Sequence, residues 1–193
     1  MNISQVQSEK DWEKIKEICV LSSGIKPPLS QERSFSFGRV WIDPYQLICP
    51  EYTLAVFDSD LIGYLTGAID RSFFEKRNAV YTELVHEISG PEQEKLKQQL
   101  DGEALWPEQL LGKVYFEELI EDYPAHLHIN FLKNHQGKGL GTLLIQNFEN
   151  KLKEKKISGV HVICGKRPVP FYEKLGFQIL KSENQIYAMG KKL

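Results

Sequence analysis

The chain has 193 residues, of which 41% are hydrophobic and 26% charged, so it is long enough to bury the core of one globular domain. Its formal net charge of −2 argues against nucleic acid as the main partner. No stretch approaches the roughly 18–20 apolar residues that span a bilayer, and the start lacks an export-signal pattern. Cys19, Cys49 and Cys164 are spaced too widely for a disulfide framework or a four-cysteine zinc site. We therefore expect a soluble, cytoplasmic protein with no membrane attachment.

The first third of the sequence predicts a strand, two helices and a β-hairpin. Ser8 with Asp11 three residues later is typical of a capping box, and apolar residues recur at helical spacing from Trp12 onward. A second helix should end before Pro44, because proline lacks the N–H that a helix interior needs. The predicted elements are a strand over 2–6, helices over 8–21 and 31–41, and hairpin strands over 52–57 and 61–69.

Residues 71–122 are charged and have a helical pattern, which is interrupted near Pro91 and Pro107. We predict that they form two or three helices, as an insertion within a single domain of residues 1–193. The later predicted elements are strands over 125–132, 160–164, 177–180 and 185–189, and helices over 139–155 and 169–175. This order of elements predicts an α/β fold with a mixed sheet.

The strongest chemical signal is a glycine-rich turn at residues 136–142, QGKGLGT, between a predicted strand and a predicted helix. Backbone N–H groups at such a helix start have no partner within the helix, and glycines allow an anion to approach them closely. Lys138 lies in the turn and is well placed to meet a phosphate. The spacing fits neither a Walker loop nor a dinucleotide-binding fingerprint. The turn is therefore either a phosphate site or a tight connection without a ligand.

The strand before this turn carries polar residues on one face. Alternation places His126, His128 and Asn130 together, whereas an interior strand of an α/β sheet is normally apolar on both faces. The polar face suggests a wet cleft in which a histidine acts as a general base. The alternative is that both histidines are structural. A metal site is not expected, because no third ligand accompanies the pair at a suitable spacing.

Two motifs in this order resemble the GCN5-related N-acetyltransferase (GNAT) superfamily. The first is Gln136-x-x-Gly139-x-Gly141 after a strand, and the second is the segment FYEKLGF at residues 171–177. The resemblance implies a mixed, mostly antiparallel central sheet flanked by helices, with the helical insertion before the central strand. The segment DYPAHLHI at 122–129 is more narrowly similar to the acetyltransferase-like domain of O-GlcNAcases and its free-standing bacterial relatives. Some members of that group are suspected of having lost catalysis.

The resemblance also implies roles for individual residues. Tyr172 matches the general acid that protonates the departing CoA thiolate, and the backbone of Phe131 and Leu132 would pair with the pantetheine arm. Gly165 and Pro168 differ from the residues that the family commonly has at a contact with the pantetheine arm. Arg167 is the candidate to replace that contact. The turn that would hold the CoA pyrophosphate consists of Gln136, Gly137, Lys138, Gly139, Leu140, Gly141 and Thr142.

The predicted function is transfer of the acetyl group of acetyl-CoA to a primary amine within a ternary complex. Tyr172 would be the acid and His126 and His128 the base candidates, because an ordinary imidazole pKa near ~6.5 suits neutral pH. The acceptor, a small amine or a peptide amine, stays open. Acidic residues over 101–122 either attract a cationic amine or are ordinary helix surface. The alternative function is an inactive acyl-CoA-binding or interaction module, and an exposed edge among the last strands would allow a homodimer.

Overall fold

The computed structural model describes residues 1–25, 28–100 and 113–193. The strands are β1 (Asn2–Gln5), β2 (Leu54–Asp58), β3 (Asp60–Ala68), β4 (Ala125–Phe131), β5 (Gly159–Gly165), β6 (Gln178–Glu183) and β7 (Ile186–Lys192). The α-helices are α1 (Glu9–Ser22), α2 (Gln31–Ile48), α3 (Ser72–Leu84), α4 (Gly90–Leu100), α5 (Lys113–Asp122), α6 (Leu140–Glu154) and α7 (Val169–Lys174). Short 3-10 helices cover Pro50–Tyr52 and Lys133–His135. The predicted order of elements is confirmed.

The strands form one seven-stranded sheet in the order β1-β2-β3-β4-β5-β7-β6. Every neighbouring pair is antiparallel except β4 and β5, which are parallel. The predicted mixed, mostly antiparallel sheet is therefore confirmed. Although β4 and β5 are seven residues long, they pair only at Ala125 with Val160 and at His126 with His161. Beyond His126 the two strands separate, which opens a gap in the middle of the sheet.

The two faces of the sheet are covered by different helices. On one face, Leu127 and Phe131 of β4 join a buried core with Leu144 and Phe148 of α6. The helix lies so close to β3 that a Cβ added at Gly67 would be 2.4 Å from the Phe148 ring, so only glycine fits there. Helices α1 and α2 pack against the other face. The polar residues of β4 are on that second face, as their alternation predicts.

The helix α2 corrects one prediction, because it continues through Pro44 to Ile48 instead of ending before the proline. Pro44 has no N–H to donate to the carbonyl of Val40, which would normally leave that carbonyl without a partner. The hydroxyl of Tyr81, from α3, donates to the Val40 carbonyl at 3.3 Å. A tertiary hydrogen bond thus replaces the missing helical one. The extended helix brings Tyr45 to the polar face of β4.

The capping box predicted for α1 is present, with the Asp11 amide donating to Ser8 Oγ at 3.2 Å and the Ser8 amide to Asp11 Oδ2 at 3.3 Å. The predicted helical segment before β4 contains α3, α4 and α5. Val40 of α2 shares a buried cluster with apolar residues of α3 and α4. Of the acidic residues over 101–122, Asp101, Glu103 and Glu108 lie outside the described residues. Within the described ranges, no helix is long and apolar enough to cross a membrane.

Candidate active site

The gap between β4 and β5 exposes backbone groups of β4. The Leu132 amide donates to the Ile62 carbonyl of β3 at 2.9 Å. Because hydrogen-bonded and non-bonded pairs alternate in an antiparallel ladder, the backbone groups of Ile129 and Phe131 point away from β3, into the gap. The Phe131 carbonyl accepts hydrogen bonds from Gln136 Nε2 at 3.0 Å and from Ser22 Oγ at 3.2 Å. The Phe131 amide N–H therefore faces the gap and is available to a ligand.

The glycine turn forms the start of α6. Gly139 is the N-cap residue in a left-handed conformation with φ of 79°, and the first helical hydrogen bond runs from the Leu143 amide to the Gly139 carbonyl at 3.1 Å. The amides of the first turn therefore have no acceptor within the helix. A Cβ added at Gly137 or Gly139 would meet nothing within 4 Å. Open space above these amides, at the positive end of the helix dipole, is suited to a phosphate.

At position 141, glycine is required for close packing and not for open space. A Cβ there would lie 3.0 Å from the Phe171 ring, so this position lets α6 pack closely against α7. The glycines of the turn thus divide into two positions with open space for an anion and one position that is close-packed.

A cavity of about 540 Å³, which we call the turn-side groove, runs along the glycine turn to α7. Arg167 lines it, as the resemblance implies. So does His135, which sequence reasoning missed because no spacing marked it. The predicted cofactor residues that line the groove are Phe131, Gln136, Gly137, Gly139, Leu140, Gly141, Thr142 and Arg167. The predicted residues Leu132 and Lys138 are not among its lining. The Leu132 amide donates to β3, and the Lys138 side chain is exposed.

A second cavity, of about 490 Å³, lies on the other side of the gap, and we call it the histidine cavity. It is lined by His126, His128 and Asn130, so the polar face of β4 borders a cleft as predicted. Tyr172, Ile129 and other residues line both cavities, which are therefore adjacent across the gap. The structure brings the glycine turn, the predicted acid and the predicted bases to one passage through the sheet.

Tyr172 lies at the junction of the two cavities. It is 4% exposed, and its ring packs edge-on against Phe171 and Phe177 at centroid distances of 5.1 and 5.4 Å. Burial, and secondarily the neighbouring Cys164 thiol, raises the pKa of the Tyr172 phenol. The phenol is therefore protonated at neutral pH and can act as a proton donor.

His128 differs from the sequence expectation in its acidity. Burial lowers the pKa of His128 to about 4, because the surrounding side chains replace the water that would solvate an imidazolium. Its Nε2 is 3.1 Å from Asn130 Nδ2, and its Nδ1 is 3.5 Å from Tyr64 Oη. Both ring nitrogens thus lie near protein groups. At neutral pH His128 is uncharged and a weaker base than a solvated histidine.

His126 is also held uncharged. Burial is the main cause that lowers its pKa, and the positive charges that His161, Arg77 and His128 can carry lower it further. Its Nδ1 is 2.8 Å from the Tyr45 hydroxyl. The pKa values of both histidines are thus lower than the ordinary imidazole value on which the expectation was based, and their role as bases stays a prediction.

Sequence reasoning missed the aromatic side chains that α2 contributes to the histidine cavity. Phe37, Trp41 and Tyr45 all line it. They recur every four residues, which places them on one face of a helix, and this spacing was the available signal. It gave no indication that the face would meet β4, and the third ring, Tyr45, reaches β4 because α2 continues through Pro44.

The strand order, the gap in the sheet and the glycine turn together define the class of GNAT-like folds. The solved structure of SsHAT matches with a TM-score of 0.75 and 24% identity, covering 99% of this chain and 97% of that one. The PaiA N-acetyltransferase of Thermoplasma acidophilum, solved with coenzyme A, matches with a TM-score of 0.58 and 16% identity over 100% and 98% of the two chains. YncA of Salmonella typhimurium, a putative acetyltransferase solved with acetyl-CoA, gives 0.56 and 16% over 100% and 94%. These likenesses show a shared fold.

The sequence itself places the chain in a family. The family model described as the acetyltransferase (GNAT) domain matches residues 82–189, more than half of the chain. The chain therefore belongs to the GNAT acetyltransferase family, which confirms the prediction from its two motifs.

Proposed function

We propose that this protein transfers the acetyl group of acetyl-CoA to a primary amine, directly and within a ternary complex. The observation that carries the proposal is the passage through the sheet between β4 and β5, with the glycine turn on one side and the histidine cavity on the other. Two substrates can enter such a passage from opposite faces and meet in the middle. Solved structures of the same fold contain coenzyme A or acetyl-CoA.

Acetyl-CoA would occupy the turn-side groove. The first-turn amides of α6 and the open positions at Gly137 and Gly139 suit its diphosphate. Arg167, which lines the same groove, would add a positive charge. The pantetheine arm would then run along β4, where the backbone of Ile129 and Phe131 points into the gap. The Phe131 amide would stabilise negative charge on the thioester oxygen during the reaction.

The chemistry requires one bond to form and one to break. The amine nitrogen forms a bond to the acetyl carbon, the carbon–sulfur bond breaks, and the amine loses a proton while the departing thiolate gains one. Tyr172 is the proton donor that we assign to the thiolate, because it lies between the two cavities and its phenol is protonated. Burial disfavours the tyrosinate, but it raises the basicity of the departing thiolate in the same surroundings as well, and the tyrosinate that forms regains its proton from solvent.

We assign His126 and His128 to the acceptor side of the passage. Since burial keeps both imidazoles uncharged, each has one acceptor nitrogen. His128 Nε2 already accepts from Asn130 Nδ2, so His126 is the one that we assign to accept a hydrogen bond from the amine or from a water molecule. Storage of the amine proton on either ring would need an imidazolium that burial disfavours. The proton therefore has to continue to solvent, or leave the amine before it binds.

The test is to measure release of the CoA thiol when the protein is mixed with acetyl-CoA and a panel of primary amines, with the N-acetyl product identified by mass. Amine-dependent thiol release supports the proposal. Stabilisation of the protein by acetyl-CoA without turnover of any amine would instead support an acyl-CoA-binding module that keeps the fold and lacks the reaction. Absence of both effects would contradict each function.

A further inference from the structure

The side chain of Asn130 lies in the passage through the sheet, where it borders both the histidine cavity and the turn-side groove. Its amide nitrogen is 3.1 Å from His128 Nε2 and 3.1 Å from the Tyr64 hydroxyl oxygen. An amide nitrogen carries two hydrogens and accepts none, so Asn130 can donate one hydrogen to each neighbour. His128 Nε2 is therefore the acceptor nitrogen of its ring. In an uncharged imidazole the other nitrogen then carries the proton, which makes His128 the Nδ1–H tautomer.

The hydroxyl of Tyr64 agrees with this assignment. Tyr64 is fully buried, and burial raises its pKa, so the phenol keeps its proton at neutral pH. Burial raises the pKa of the Cys19 thiol, and a hydrogen bond with Tyr64 opposes that rise, as is expected when the phenol donates to the sulfur. The lone pairs of the Tyr64 oxygen are then left for Asn130 Nδ2 and for His128 Nδ1, which is 3.5 Å away. Each hydrogen in this cluster thus has one acceptor.

No neighbouring charge favours a protonated His128 ring. Among the described residues that border the histidine cavity there is no Asp, Glu, Lys or Arg, and position 130 holds an amide in place of a carboxylate. Burial lowers the pKa of His128 to about 4. The titratable groups around the ring and on the cavity walls are Cys19 of α1, Tyr45 of α2, Tyr64 of β3, His126 of β4, Cys164 of β5 and Tyr172 of α7.

The second histidine of β4 has no such fixed proton. His126 Nδ1 is 2.8 Å from the Tyr45 hydroxyl, and a hydroxyl can either donate or accept. Either ring nitrogen of His126 can therefore carry the proton while this hydrogen bond is kept. A histidine that takes up a proton at one nitrogen and releases it from the other changes its tautomer, which His126 can do and which the Asn130 amide opposes at His128.

We propose that Asn130 is a positioning residue, which holds His128 as the uncharged Nδ1–H tautomer and so removes it from the proton transfer. This inference rests on the acetyl transfer proposed above and divides the two histidines between two tasks. His126 takes the hydrogen bond from the amine or from a water molecule. His128 forms a fixed part of the cavity wall, on which Trp41 is stacked with ring centroids 5.6 Å apart.

The direct test is long-range ¹⁵N–¹H correlation NMR of the full chain with ¹⁵N-labelled histidine, with and without acetyl-CoA, because it reports which ring nitrogen carries the proton. The spectrum of His128→Gln identifies the His128 signals by their loss. We expect a protonated Nδ1 and an unprotonated Nε2 in the wild type, unchanged from pH 8 to pH 5.5. A protonated Nε2 would mean that Asn130 presents its amide oxygen to the ring, and it would overturn the inference.

Asn130→Asp keeps the shape of the side chain and replaces its N–H donors by acceptors. His128 Nε2 must then carry a proton to bond to the carboxylate, and the negative charge favours the imidazolium. We expect the tautomer of His128 to switch to Nε2–H and its ring to titrate at least about 1 pH unit higher. Asn150→Asp is the matched control, because Asn150 is an exposed residue of α6 and lines neither cavity. Equal His128 spectra in the two variants would overturn the inference.

The pH dependence of kcat/KM, measured with an amine that the wild type acetylates, separates the two histidines in the reaction. His126→Gln should lower kcat/KM by about 100-fold, whereas His128→Gln should keep the shape of the wild-type pH profile. A profile altered by His128→Gln would place His128 in the proton transfer and overturn the inference. Absence of turnover in the wild type would overturn the proposed acetyl transfer instead, and the NMR spectra, which need no turnover, would still decide the tautomer.

Discussion

Replacement of Gly139 by glutamate would place a carboxylate where we locate the CoA diphosphate. Two effects follow from the structure. The residue has φ of 79°, so any side chain costs about 1–2 kcal/mol of folding free energy in this left-handed conformation. A carboxylate within about 5 Å of the two negative charges of the diphosphate would add about 2 kcal/mol of repulsion even at the dielectric constant of water, and more in a partly buried groove. We therefore expect the Kd of acetyl-CoA to rise at least about 30-fold.

Gly90 provides a control with the same backbone strain. It begins α4 with φ of 72°, and a Cβ there would also meet nothing within 4 Å. It is not among the residues that line either cavity. Gly90→Glu should therefore lower the free energy of unfolding by a similar amount and leave the Kd unchanged.

The assay is calorimetric titration of acetyl-CoA into each variant, alongside urea unfolding. Gly139→Ala adds the same strain without the charge, so its effect on stability should match that of Gly139→Glu while its effect on the Kd is smaller. An unchanged Kd in Gly139→Glu, or an equal loss of affinity in Gly139→Glu and Gly90→Glu, would refute the assignment of the diphosphate to this turn.

Three further perturbations test other parts of the structure. Tyr172→Phe should lower kcat by about 100-fold or more with the Kd of acetyl-CoA within about 2-fold, and a parallel loss in both would indicate a packing role instead. His128 has a pKa near ~6.5 in the unfolded chain and of about 4 in the folded chain. It should therefore contribute about 3 kcal/mol to the free energy of unfolding above pH ~6.5, and this contribution is lost as the pH falls to about 4. Urea unfolding should show that the free energy of unfolding decreases less from pH 7 to pH 4.5 in His128→Gln than in the wild type. Identical decreases would contradict the effect of burial on the pKa of His128. Tyr81→Phe should reduce the free energy of unfolding by about 1–3 kcal/mol. The reduction should be smaller in a Pro44→Ala background, because residue 44 then has an N–H to donate to the Val40 carbonyl. Equal reductions in both backgrounds would argue that the Tyr81 hydroxyl does not replace the missing helical hydrogen bond.

The parts of the fold that depend on local signals were predictable from the sequence. The capping box at Ser8, the glycine turn before α6 and the alternation along β4 each involve residues a few positions apart, and each is present. The same holds for the motif order that identified the family. One residue of the glycine turn is glycine for a reason that the motif did not indicate. Gly141 allows close contact with Phe171 and does not provide open space for an anion.

The parts that depend on distant contacts were not predictable. The extension of α2 through Pro44 relies on a hydroxyl from Tyr81, 41 residues away from Val40. That extension carries Tyr45 to His126, across a separation of 81 residues. The low basicity of the histidines follows from the burial that these contacts create. A single sequence shows the histidines but not the walls around them.

The most direct test of the central claim is a crystal structure of the protein with acetyl-CoA bound. The account predicts the diphosphate on the first-turn amides of α6, the pantetheine arm between β4 and β5, and the sulfur within hydrogen-bond reach of the Tyr172 hydroxyl. A coenzyme bound outside the gap, or a sulfur atom shielded from both Tyr172 and the histidine cavity, would contradict it.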